Sequence, residues 1–394
     1  MRCWLSVLIL STLLAPARAQ IMPLPSPAAS GSLAPRLTSS ATASPWLSWL
    51  EPVDNGYALR ISNWSDQGFG PAITVASGAD WFINWADTPH LWIDSQGRML
   101  AHWLQKSADS TFAYDVMLAH SANGAQWSQP YSPHADSTPT EHGFASAVPL
   151  DDGMLIAWLD GRATLANDSS TSGAMSLRAA RISAGGQIEE RMVLDQRVCD
   201  CCQTDAAMTT QGPVVVYRDR DDDEVRNIAM VHYSTAGWSK PVTVHNDGWK
   251  ITGCPVNGPQ VVSLGDEVAV VWFTMANNLP TVKVARSVDR LSRFEPPYTL
   301  SRATPLGRVA ISQVGVHLAI AWIEEQSERA LLQLAIVEAE TLREQRRQVI
   351  ATVPRGRASG FPALAAINQR QLLIAWTDVI DGARQIKAAT YTLP

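Results

Sequence analysis

Apolar and polar positions alternate along most of this chain in short runs separated by polar turns. Residues 362–376 read PALAAINQRQLLIAW: an apolar run, a polar turn from Asn368 to Gln371, and a second apolar run ending in an aromatic. Residues 258–272, GPQVVSLGDEVAVVW, have the same form with Gly265 and Asp266 at the turn. Such pairs predict antiparallel hairpins. Seven runs end this way, at Trp49, Trp103, Trp158, Tyr217, Trp272, Trp322 and Trp376, with spacings of 54, 55, 59, 55, 50 and 54 residues. A third run follows each pair, as in MSLRAARI or TVKVARSV. A further aromatic, such as Phe69, Trp127, Trp238 or Phe294, then opens a fourth. Helical periodicity is expected only over Glu338 to Arg347.

A near-constant repeat of four antiparallel strands predicts an all-β fold, a β-propeller. Seven blades are expected, with six as the rival count. The repeated aromatic reads as architecture, a large ring packed between neighbouring blades. The last unit ends after its third strand. Part of residues 21–32 is therefore expected to supply the missing outer strand, because only a closed ring has no bare edge.

Residues 1–19 carry Arg2, an apolar stretch from Trp4 to Leu14, and small residues at Ala17 and Ala19. This has the form of a secretory signal peptide, so the protein is expected to be exported, periplasmic or secreted. An Ala/Pro/Ser-rich segment, residues 20–33, follows, and the propeller is expected over 34–394. Without residues 1–19 the chain loses Arg2 and Arg18 and no acid, leaving 29 basic against 37 acidic residues, a net charge of −8 with His neutral. That acidity argues against a nucleic-acid partner, and no later run has the length of a transmembrane segment.

Ser287-Val-Asp289-Arg-Leu291-Ser-Arg-Phe294 keeps the Ser, Asp and aromatic of an S-x-D-x-G-x-x-W hairpin, with Leu291 in place of Gly. Ser121-Ala-Asn123-Gly124-Ala-Gln-Trp127 is a shorter version. On these boxes and the repeat, the chain resembles the sialidase-like propellers of the bacterial neuraminidase repeat superfamily. The resemblance implies three arginines clamping a sugar carboxylate, a Tyr nucleophile paired with Glu, and an Asp acid/base. Arg162, Arg218, Arg308 and Arg357 lie near predicted strand ends and are the candidate clamp. No Tyr stands in an evident nucleophile setting, since Tyr217 holds the repeated aromatic position. A glycosidase needs two opposed carboxylates, and Asp160 and Asp219 are the candidates. Both nevertheless belong to a series, with Glu51, Glu324 and Asp378, that stands two residues after the aromatic. Such regularity favours turn-capping or solvated roles.

Function is best sought where the repeat is broken. Val198-Cys199-Asp200-Cys201-Cys202 and Gly253-Cys254-Pro255-Val256-Asn257-Gly258-Pro259 hold all the cysteines after residue 19. Both stretches precede the first strand of consecutive blades, so they are expected to be neighbours near one mouth of the central channel. Two readings stand open. In one, Cys254 forms a disulfide that closes a loop of about 53 residues and contributes roughly 4 kcal/mol. In the other, the thiols hold Cu(I) or Zn(II) or act as a redox dithiol.

Beside them runs Tyr217-Arg218-Asp219-Arg220-Asp221-Asp222-Asp223-Glu224, with Arg226 following. Glu224 and Met230 replace the Gly and Glu that a calcium loop of the EF-hand type requires. Arg218, Asp219 and Arg226 are candidates to ring the mouth and bind a carboxylate or sulfate. His142, Trp249 and Asn257 stand in equivalent loops and are candidate ligand contacts. The CDCC, YRDR and GCPVNGP stretches resemble those of a bacterial exo-alpha-sialidase-like group. The expected function is an exported propeller binding a small molecule, a carbohydrate or a protein partner at a channel mouth. An exo-glycosidase acting on an acidic sugar is one alternative. A periplasmic thiolate metal or redox protein is the second.

Overall fold

The computed structural model describes residues 20–40, 43–165 and 173–393; the signal-like residues 1–19 lie outside them. Seven antiparallel sheets form a ring of blades, a seven-bladed β-propeller. The first strands are Leu33–Ser40, His90–Ile93, His142–Leu150, Asp205–Thr209, Gln260–Ser263, Pro305–Val314 and Ala363–Ala366. The repeated aromatics all lie on second strands, for example Trp158 in Gly153–Asp160 and Trp322 in His317–Gln326. Gln20–Leu24 pairs antiparallel with Ala383–Thr392 and forms the outer strand of blade seven. N-terminal residues thus complete the C-terminal blade.

Each repeated aromatic packs on the blade before it. Trp49 meets Leu373 and Ala375 of blade seven, Trp103 joins Leu59 and Ile61 of blade one, and Trp322 joins Val271 and Val284 of blade five. A buried indole N–H is stabilised by an acceptor, which Trp103 and Trp376 lack among the described residues. Residues i and i+2 of a strand share a face, which explains three of the five regular acids. Trp49, Trp158 and Trp322 donate Nε1–H to Glu51, Asp160 and Glu324 at 3.0, 2.8 and 3.1 Å. These three carboxylates are indole acceptors, and Asp160 also caps the Arg162 amide, while Asp219 and Asp378 cap the amides that follow them.

Glu338 to Arg347 is not helical. Strand Arg329–Glu338 turns there into Glu344–Pro354, and their paired ladder occupies the backbone groups that a helix would need.

First strands of blades one, three and six each carry a bulge with a left-handed residue, Ala34, Phe144 or Arg308. Bulges of this kind re-aim the strand entrance. All seven first strands line a central cavity of about 920 Å³. At the end where the first strands begin, the loop of residues 79–89 lies across the ring. Trp85 stacks on Phe361 of blade seven, with centroids 5.8 Å apart. The carbonyl of Ala86 accepts Gln203 Nε2 of blade four at 2.9 Å, and Gln203 Oε1 accepts Gly258 N at 2.8 Å. Ala86, Gln203, Phe144 and Phe361 are all buried, so this mouth is plugged.

Candidate functional site

The plugged face carries the two cysteine loops and the loops that leave the second strands. Cys199 and Cys202 place their Sγ atoms 3.3 Å apart, and Cys254 is hydrogen-bonded to Cys201. The two loops are thus neighbours. No disulfide joins the four cysteines in this structure, so it does not show the Cys254 staple. Hydrogen bonds from Cys201 and Cys202 hold the Cys199 thiol well below its usual range, while burial pushes Cys202 up to about 12.

Several residues expected to meet a ligand are built into the scaffold instead. Arg218 is buried and donates to the carbonyls of Arg226, Asn257 and Phe273 at 2.7–3.2 Å. Its guanidinium also lies 4.9 Å from the ring of Trp249, which is itself buried against Phe273. Arg226, also buried, spends Nη1 on Cys199 Sγ at 3.1 Å and Nη2 on Glu224 at 2.8 Å. The side chain of Asn257 accepts the amide of Arg308 at 2.7 Å and donates to Pro255 and Leu306 carbonyls. None of Arg218, Arg226, Trp249 or Asn257 lines an open surface.

The candidate carboxylates separate as well. Asp160 is fully buried, takes Arg162 Nε and Nη2 at 2.6 Å each and the Trp158 indole, and is thus a structural anion. Burial raises Asp219 to about 6, but its carboxylate caps the amide of Arg220 and shares no partner with Asp160. His142 is fully enclosed. It stacks on His134 with centroids 3.9 Å apart and lies 3.1–3.7 Å from Asp115, Asp136 and Asp160. Burial lowers both imidazoles, yet the three carboxylates outweigh it for His142, whose pKa ends raised, while His134 ends lowered. The pair is thus set to share one charge.

The four clamp arginines do not converge on one point. Arg162 belongs to Asp160 and Asp136, and Arg218 to blade five carbonyls. Only Arg308 and Arg357 share a neighbour, the ring of Trp85, at 5.1 and 5.8 Å. Arg308 is locked onto the carbonyls of Gly356 and Arg355. Arg357 is exposed and lines a small pocket, about 80 Å³, with Trp85, Asn84, Thr377 and Arg384. Neither Arg357 nor Arg384 has a carboxylate partner among the described residues. The buried hydroxyl of Thr377 also lacks a hydrogen-bond partner.

A second group on this face escaped the sequence reading. The hydroxyl of Tyr114 lies 3.0 Å from Asp87 Oδ2 and 2.7 Å from Glu141 Oε1. A phenol has one proton, so one of these contacts is made by a protonated carboxyl donating to the phenol oxygen. Burial raises both acids to about 7, from 3.8 and 4.5, and raises the tyrosine well above its usual range. Trp85 and Asp87 sit in an entry loop rich in aromatics, Trp81-Phe82-Ile83-Asn84-Trp85. That run was the available signal, because the other entry loops lack one.

No known family model matches the chain, and no curated protein does. Among solved structures, it is similar to an ulvan lyase, a polysaccharide lyase bound to -[GlcA(1-4)Rha3S]-, at 10% identity and TM-score 0.56, covering 93% of this chain and 95% of that one. An intramolecular trans-sialidase from Ruminococcus gnavus, in complex with oseltamivir carboxylate, matches at 9% identity and TM-score 0.50, covering 91% and 94%. The endosialidase of phage phi92 matches at 8% and 0.51, covering 95% of this chain and 69% of that one. At these identities the likeness concerns the propeller fold.

Proposed function

We propose that this chain is an exported carbohydrate-binding propeller that takes the carboxylate or sulfate of an acidic saccharide between Arg357 and Arg384. The observation that carries the reading is the pair of guanidinium groups without acids at a pocket sized for one anionic group. Trp85 supports Arg357 through a cation–π contact, which orients a side chain otherwise free in solvent. The buried Thr377 hydroxyl supplies a further donor. Two of the similar folds are named for acidic glycans or bind a carboxylate ligand, which agrees with this choice of sugar. Residues 1–19 support export to the periplasm or beyond. Isothermal titration against uronate, sulfated, sialylated and neutral oligosaccharides tests it. Binding should be confined to acidic glycans, weaken with salt, and vanish in Arg357→Ala/Arg384→Ala. Equal binding of neutral sugars, or retention by the folded double variant, overturns it.

One observation favours a second reading, a sialidase-type exo-glycosidase acting on an acidic sugar. Glu141 is half-buried, with a pKa near 7 that suits a proton donor or acceptor at neutral pH. Turnover of aryl glycosides or acidic polysaccharides that Glu141→Gln abolishes supports this reading. A complete absence of turnover leaves binding as the activity.

A further inference from the structure

The sulfur cluster has no part in the saccharide reading. Cys199, Cys201 and Cys202 are all buried, and each places Sγ within 4.8 Å of the other two. Two buried guanidinium groups face them. Arg226 donates to Cys199 Sγ. Arg218 lies close enough to act electrostatically on both Cys199 and Cys202.

Of the three arginines around the cluster, two are paired directly with acids. Arg220 bridges Asp200 and Glu224, and Arg226 also reaches Glu224. Arg218 has only carbonyl acceptors and no carboxylate within ion-pair distance among the described residues. A buried cation without an anion is costly by several kcal/mol. Disulfides or neutral thiols would leave Arg218 in that state. Thiolates would answer it, but three of them so close together repel, and a cation between them removes the repulsion.

The donor set selects the ion. Three sulfurs without an imidazole or carboxylate suit a soft cation that accepts three ligands, whereas structural zinc takes four. Cys254 is exposed and hydrogen-bonded to Cys201, but its sulfur is not among the three that lie within 4.8 Å of one another, so it stands outside the triad. We propose that Cys199, Cys201 and Cys202 form a buried three-thiolate site for Cu(I), with Arg218 and Arg226 compensating its negative charge. Each thiol that binds as a thiolate gives its proton to solvent, and no electron is transferred.

Anaerobic titration of the reduced protein with Cu(I), buffered by a chromogenic Cu(I) chelator, should show one equivalent bound. X-ray absorption at the copper edge should then find three sulfur neighbours. Cys199→Ser and Cys202→Ser should lose the ion, whereas Cys254→Ser should bind like the unaltered protein. Circular dichroism checks the fold of each variant; if a serine variant unfolds, the absorption spectrum of the unaltered protein decides. A Cys199–Cys202 disulfide in protein from an oxidising compartment, with no Cu(I) uptake after reduction, overturns the site. So does preferred Zn(II) binding that requires Cys254, or uptake unchanged in the folded serine variants.

Discussion

Asp87 and Asn257 make the same contact in different parts of the ring. Oδ1 of each accepts the amide of the left-handed residue that opens the next blade, Phe144 at 2.8 Å and Arg308 at 2.7 Å. The glycine before each left-handed residue allows the approach. A Cβ on Gly143 would lie 2.0 Å from Asp87 Oδ2, and one on Gly307 would lie 2.3 Å from Asn257 Oδ1. An amide thus serves this contact as well as a carboxyl does.

The pH dependence of stability follows from Asp87. Its folded pKa is raised above its unfolded value, so its contribution is complete below about 3.8 and is lost as pH rises through about 7. Tyr114, Glu141 and Arg36 are the charged or titratable groups that act on it. Between pH 5 and 8 the Asp87→Asn variant should lose less stability than the unaltered protein, by on the order of 2 kcal/mol. Thermal melts across that range measure it; parallel slopes for the two proteins would assign the titration elsewhere.

The indole acceptors separate a charge from a hydrogen bond. Glu324→Ala leaves the Trp322 N–H buried without a partner and should destabilise the fold by about 1–3 kcal/mol. Glu324→Gln keeps an acceptor oxygen and should recover most of that loss. Urea unfolding of both variants tells them apart.

Arg226 is a positioning residue for the sulfur cluster. Arg226→Met removes the donor to Cys199 and should weaken Cu(I) binding by about 10–100-fold. Arg293→Met, which removes an exposed surface ion pair with Asp289, should leave affinity unchanged. The chelator competition reads both.

Deleting Gln20–Leu24 strips the outer strand from blade seven and bares one edge of Ala383–Thr392. The truncated protein should melt at lower temperature and self-associate at concentrations where the unaltered protein stays monodisperse. Light scattering during a thermal ramp follows both effects.

The ring was legible in the sequence because one residue per blade meets one neighbour in the same way. Trp49, Trp158 and Trp322 repeat since each seals the same seam, and the missing fourth strand of the last unit pointed to the N-terminal residues. The sites were less legible because their groups come from different blades. Tyr114 stands 27 residues from both Asp87 and Glu141, and no periodic signal links the three. The run from Arg218 to Glu224 has the composition of a solvated loop, yet carbonyls of Asn257 and Phe273 in blade five draw Arg218 inside. Arg384 gave no signal, since the pocket it lines is formed with the loop of blade two.

The pairing of Gln20 with Thr392 also sets a schedule for folding. No ring can close before nearly the whole chain has been made and released, so every earlier blade must wait in an open arc. Joining ends about 370 residues apart costs on the order of 5 kcal/mol in chain entropy, which the blade-to-blade seams must exceed before the latch engages. In that interval the final strand is as ready to pair with a neighbouring molecule as with its own beginning. The yield of native protein should therefore fall as nascent chains become crowded, even where the finished ring is stable.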